Sequence, residues 1–148
     1  MLIFLTFLPL EKKGSLSTKK HDLNPIDEWV KQHPMFEGLP AGGLMDHQFY
    51  REIIPNTVWM GQEPPKEAIA GAIKASQDYS SGLMMAVYSF GSGNLILNTL
   101  LIRNNLDTHP AAERLLRNLL RYAAQDQKKT IKKLPEEFDL TLKAIGYK

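Results

Sequence analysis

Two nearly unbroken apolar runs stand out along the chain, "GLMMAVYSF" at 82–90 and "NLILNTLLI" at 94–102. Each is shorter than a usual core helix and is bounded by turn residues, so the pattern predicts two buried strands. Gly91-Ser92-Gly93 joins them, giving a β-hairpin over 82–102 with Gly91 and Gly93 as its structural turn. The period then changes. In "DTHPAAERLLRNLLRYAAQ", Leu115, Leu116, Leu119, Leu120 and Ala123 recur as one apolar stripe, and the spacing predicts a helix over 109–125 that packs on the strands. Asp107 or Thr108 is placed to cap it, and Pro110 suits its first turn. Arg114, Arg117 and Arg121 line another face, with Glu113 one turn ahead of Arg117. That face reads either as solvated or as an anion site.

The remaining segments are less regular. "MLIFLTFLPL" at 1–10 predicts a buried N-terminal strand rich in Ile3, Phe4 and Phe7. Residues 11–29 read as a linker or loop, because 11–24 carry no hydrophobic period; one helical turn is expected from Pro25 to Gln32. Gly38, Pro40, Gly42 and Gly43 punctuate "EGLPAGGLMD" too densely for regular structure. "REIIPNTVWMG" predicts short strands on either side of Pro55, and "KEAIAGAIKAS" a short helix or irregular segment weakened by Gly71. The body ends at 125. A lysine-rich tail, 126–148, offers a short helix after Pro135 with Phe138, Leu142 and Ile145 as its packing residues.

Composition narrows the classes. The chain has 148 residues, 43% hydrophobic and 23% charged, with a net charge of +2, as for one globular domain. So small a charge gives no argument for nucleic acid or an anionic membrane. The first ten residues are too short to span a bilayer and lack the flanks of a signal peptide. With no cysteine, disulfides, thiolate metal sites and a cysteine nucleophile are excluded.

Candidate chemistry is sparse. Residues 94–97 continue as a strand after the glycine loop, and the Lys-Ser/Thr of a P-loop is missing, so no nucleotide cofactor is expected. His21, His33, His47 and His109 have no metal-ligand spacing, and no metal is expected. His33 and His109 each precede a proline, a context for turns rather than catalysis. Asp46, His47, Tyr50 and Glu52 form the one tight polar cluster beside a glycine-rich loop and are the candidate ligand-contacting residues. The competing reading is a loop whose Asp46 carboxylate binds backbone amides. Trp29 and Trp59 are candidates for stacking on a sugar or for burial in a core or interface. No residue is nominated as catalytic.

Three stretches carry a resemblance: "HPMFEGLPAGGLMD" with "FYRE" at 33–52, "YSSGLMMAVYSFGSGNLILNTLLI" at 79–102, and "HPAAERLLRNLLRYA" at 109–123. Together they resemble the C-terminal part of a class I glutamine-amidotransferase-like domain, of the kind found at the end of some bacterial glycoside hydrolase family 2 proteins. The ThuA-like and β-galactosidase trimerisation domains are similar. The resemblance implies an α/β fold, a partial flavodoxin-like sandwich with 30–125 as its C-terminal half-domain. In true amidotransferases a Cys-His-Glu triad hydrolyses glutamine; without cysteine that activity is denied. The expected function is a non-catalytic accessory or assembly module of a carbohydrate-active enzyme, part of a longer protein. The alternative is a ThuA-like enzyme acting on a sugar or sugar derivative. Expected partners are a missing N-terminal half or an upstream glycosidase domain, a second copy of the chain, and carbohydrate. If the companion strands of a parallel sheet lie elsewhere, an apolar edge is left to be covered.

Overall fold

The computed structural model describes residues 10–18, 26–75, 79–125 and 133–144. They form a mixed α/β structure of seven strands and three helices. The strands are β1 Lys13–Thr18, β2 Ile26–Val30, β3 Gly43–Leu44, β4 Thr57–Gln62, β5 Glu67–Ala75, β6 Tyr79–Phe90 and β7 Gly93–Asn98. The helices are α1 His47–Tyr50, α2 Pro110–Ala124 and α3 Phe138–Ala144. The sheet runs β1-β4-β6-β5-β2-β3, and β7 pairs with β6.

The central hairpin forms as its apolar runs dictate. Phe90 pairs with Gly93, which leaves a two-residue turn of Gly91 and Ser92. Gly91 sits there at φ +53°, the region that favours glycine. Gly93 lies outside the turn proper and opens β7. Strand β6 is buried from Met84 through Tyr88, as expected of a strand covered on both sides.

Several expectations are corrected. Every described strand pairing is antiparallel, where the flavodoxin-like expectation called for a parallel sheet. The linker expected over 11–29 contains β1, and the helical turn expected from Pro25 is β2. Strand β1, "KGSLST", lies at the sheet edge with mostly exposed residues, so burial never imposed an apolar period on it. In β2 the core-facing positions alternate Glu28 and Val30, and a buried carboxylate disguises the strand. "EAIAGAIKA" is strand β5 rather than a short helix. An isolated helix of that length with a central glycine is marginal, whereas pairing with β2 on one side and β6 on the other fixes it as a strand. Residues 51–54 turn rather than extend, so only the segment after Pro55 is a strand. The glycine-dense stretch still holds β3 and is followed by α1. Residues 1–9 of the N-terminal strand, His21, residues 126–132 and Ile145 lie outside the described residues.

One face of the sheet carries the main core. Val30, Val58, Ile69, Met84, Met85 and Val87 pack against Met35, Phe36, Tyr50, Ile53, Ala111, Ala112, Leu115 and Tyr122. Met84 and Met85 both enter this cluster because the β5–β6 register shifts beside Ala70. Helix α2 therefore covers this face, turned from the expected stripe. Leu120 is 63% exposed and Ala123 is exposed, while Asn118 is buried. The Asn118 amide donates to Met35 O at 3.2 Å and Glu37 O at 3.0 Å, so a polar residue replaces a leucine without an unmet donor.

The second face is read from the ladder. Leu16 pairs with Trp59, Trp59 with Leu83, Leu83 with Gly71, Gly71 with Trp29 and Trp29 with Leu44. Directly opposed residues share a face, so these side chains form one row across six strands. Ile73 and Tyr79 share that face by alternation along β5 and β6, and they are 43% and 86% exposed. Farther up, Ala86, Tyr88, Leu95 and Leu97 gather with Leu10. Helix α3 meets the hairpin tip, where Phe138 and Phe90 stack edge to face at 5.3 Å.

Candidate functional site

The glycine-rich segment delivers Asp46 to the start of α1. Its Oδ1 accepts from the amides of Gln48 at 2.9 Å and Phe49 at 3.2 Å, an N-cap. Tyr50, one helical turn on, is fully buried and its hydroxyl donates to Pro40 O at 2.7 Å. Burial, with the negative charge of Asp46 adding to it, pushes its phenol up to about 12. Glu52 is exposed; its carbonyl, not its carboxylate, accepts from Asn105 Nδ2 at 2.7 Å. Three of the four candidates thus share one short helix, but Asp46 and Tyr50 are engaged with backbone.

His47 differs. Its side chain is 64% exposed, and its Nε2 lies 2.7 Å from Oε2 of Glu28, whose side chain is 1% exposed. With Glu28 ionised, its carboxylate only accepts, the ring donates Nε2–H and Nδ1 is the basic nitrogen. No described residue bonds Nδ1. A buried carboxylate that orients an exposed imidazole is an arrangement able to take a proton from a bound hydroxyl. Glu28 lies 19 residues before His47 and belongs to a segment whose strand character was hidden, so the pair is invisible to local spacing.

Comparison of the chain with protein-family models, with curated proteins and with solved structures returns no match.

A second histidine–carboxylate pair is built for structure. His33 Nε2 lies 3.0 Å from Glu67 Oε2, and Tyr122 OH donates to Glu67 Oε1 at 3.1 Å. The His33 and Tyr122 rings are 5.0 Å apart. His33 Nδ1 accepts from the Met35 amide at 3.2 Å, so both ring nitrogens are engaged. This clasp ties the end of β2 to β5 and α2. His109 repeats the His-Pro geometry: its Nδ1 accepts from the Ala111 amide and caps α2. It displaces the expected caps, because Asp107 stands at φ +68° and Thr108 donates to Asn105 O instead.

The arginine face of α2 is paired. Arg114 donates to Glu37 O at 3.1 Å, Arg121 meets the Glu37 carboxylate at 3.3 Å, and Arg117 approaches Glu113 at 3.9 Å. Among the described residues no group of three metal-ligating side chains occurs, and no helix is long and apolar enough to cross a membrane.

Proposed function

We propose that the chain is a non-catalytic accessory or assembly module of a carbohydrate-active enzyme, working docked against another domain or a second copy. The observation that carries this reading is the cross-sheet row from Leu16 to Leu44. It puts Leu83 on the face opposite α2, with Ile73 and Tyr79 beside it toward the far ends of β5 and β6. Ile73 and Tyr79 are its exposed apolar members, and exposed apolar residues on one face fit association. The commitment of Asp46 and Tyr50 to backbone bonds supports it. The finer fold reading, a partial flavodoxin-like sandwich of the amidotransferase type, belongs to the same proposal. Its support is the hairpin followed by a covering helix, and the antiparallel pairings weigh against it.

A second reading, a ThuA-like enzyme acting on a sugar derivative, is favoured by one observation: His47 held on the buried Glu28 carboxylate. One assay separates the two. The accessory reading expects no turnover of chromogenic glycosides or sugar derivatives by the isolated chain. Turnover that disappears in His47→Gln, with the circular dichroism spectrum unchanged, would overturn it in favour of the enzyme.

A further inference from the structure

The structure separates the two tryptophans. Trp59 is 4% exposed and its indole N–H donates to Lys13 O at 2.8 Å, so its ring is committed inside the sheet. Trp29 is only partly buried and stands near one end of the cross-sheet row, between Gly71 and Leu44. Its ring rests on the Gly71 backbone: a Cβ there would come within 2.7 Å of Trp29 Cζ2. The missing side chain is what lets the indole settle on the sheet. Lys31 Nζ lies 5.9 Å from the ring centroid.

Beside this ring lies a shallow groove of about 590 Å³, open to solvent and lined by Trp29, Lys31, Gln32, Gly42, Gly43 and Leu44 among others. A groove this open suits a ligand that lies on one face and keeps its other side in water. Gln32 Nε2 donates to Ala41 O at 2.9 Å, which fixes the amide and leaves its Oε1 as an acceptor. A Cβ on Gly43, at the sheet edge opposite Val30, would meet nothing within 4 Å. The lining holds one cation and no carboxylate, which gives a basic ligand no counter-charge. An aromatic surface, an ammonium donor and an amide acceptor together suit a ligand with one apolar face and a rim of hydroxyls. That is the chemistry of a pyranose, whose ring C–H groups stack on an indole while its hydroxyls bond outward.

We propose that this groove binds a neutral saccharide, stacked on Trp29 and hydrogen-bonded by Lys31 and Gln32. The choice of a saccharide rests in part on the accessory-module reading; the groove and its polar groups do not.

The test is a titration of the full chain with lactose, cellotetraose and mannotetraose at millimolar concentrations, followed by the indole N–H resonances of the two tryptophans. The Trp29 signal is expected to shift saturably with at least one of these sugars while Trp59 stays in place. Trp29→Ala should weaken that binding roughly tenfold or more. Lys31→Met keeps the ring and removes only the ammonium beside it, and should weaken it several-fold. No Trp29 shift with any of the three, or wild-type affinity in both variants, overturns the proposal. A Trp29 signal that follows protein concentration instead of sugar also overturns it, marking a contact between copies and leaving the accessory reading standing. Saccharide binding by a strictly monomeric chain has the opposite effect, sparing this site and removing docking on a second copy.

Discussion

Tyr50 places its hydroxyl in a fully buried position, bonded to Pro40 O, and holds its proton to about pH 12. An unfolded tyrosine releases its proton near pH 10. Between these values the folded chain binds more protons than the unfolded one, so stability falls as pH rises. The contribution is complete below pH ~10 and disappears as pH climbs through ~12. Tyr88, also raised by burial, acts in the same direction. Tyr50→Phe should lose about 1 kcal/mol at neutral pH with the lost hydrogen bond, and its thermal midpoint should drop less than the wild type's across this alkaline range. An identical alkaline decline in the variant would remove Tyr50 from the account. At this scale the site is half legible. Asp46 directly ahead of a helical turn announces a carboxylate on backbone amides, but the His47–Glu28 pair depends on which face of β2 looks inward. A buried glutamate conceals that parity.

Glycines and leucines in regular elements show why some segments are readable and others are not. The hairpin and α2 are legible because burial stamps a continuous or 3.6-residue apolar pattern on them. Strands β1 and β5 lack such a pattern: one lies exposed at an edge, and the other is built of alanines and glycine to admit close neighbours. The Gly71 position, where a Cβ would sit 2.5 Å from Gly82 O, requires that smallness. Gly71→Ala should cost about 1–3 kcal/mol by overpacking, whereas Gly43→Ala should gain about 0.4–1 kcal/mol by reducing unfolded-state freedom. Denaturant midpoints of the two variants check this, and equal effects would contradict it. In α2 the leucine stripe is wider than its contact. Leu115→Ala, at a fully buried site, should cost about 2–5 kcal/mol, and Leu120→Ala less than about 0.5 kcal/mol. Comparable losses at both positions would mean that α2 is rotated relative to this packing.

For the molecule as a whole, the helices divide the sheet into unlike faces. One is closed by α2, Met35, Phe36 and Tyr50. The other carries the row from Leu16 to Leu44, with Ile73 and Tyr79 open beside it. Sequence patterning shows that these residues are apolar but cannot show that they align, because the alignment is a matter of register between strands distant in the chain. The central claim is that this face is a docking surface for a second copy of the chain. Light scattering on the full chain at tens of micromolar tests it most directly, beside a variant with Ile73→Lys and Tyr79→Lys, two exposed positions where a charge leaves the core intact. The account predicts a mass above that of one chain for the wild type and a monomer for the variant; a monodisperse wild-type monomer would contradict it.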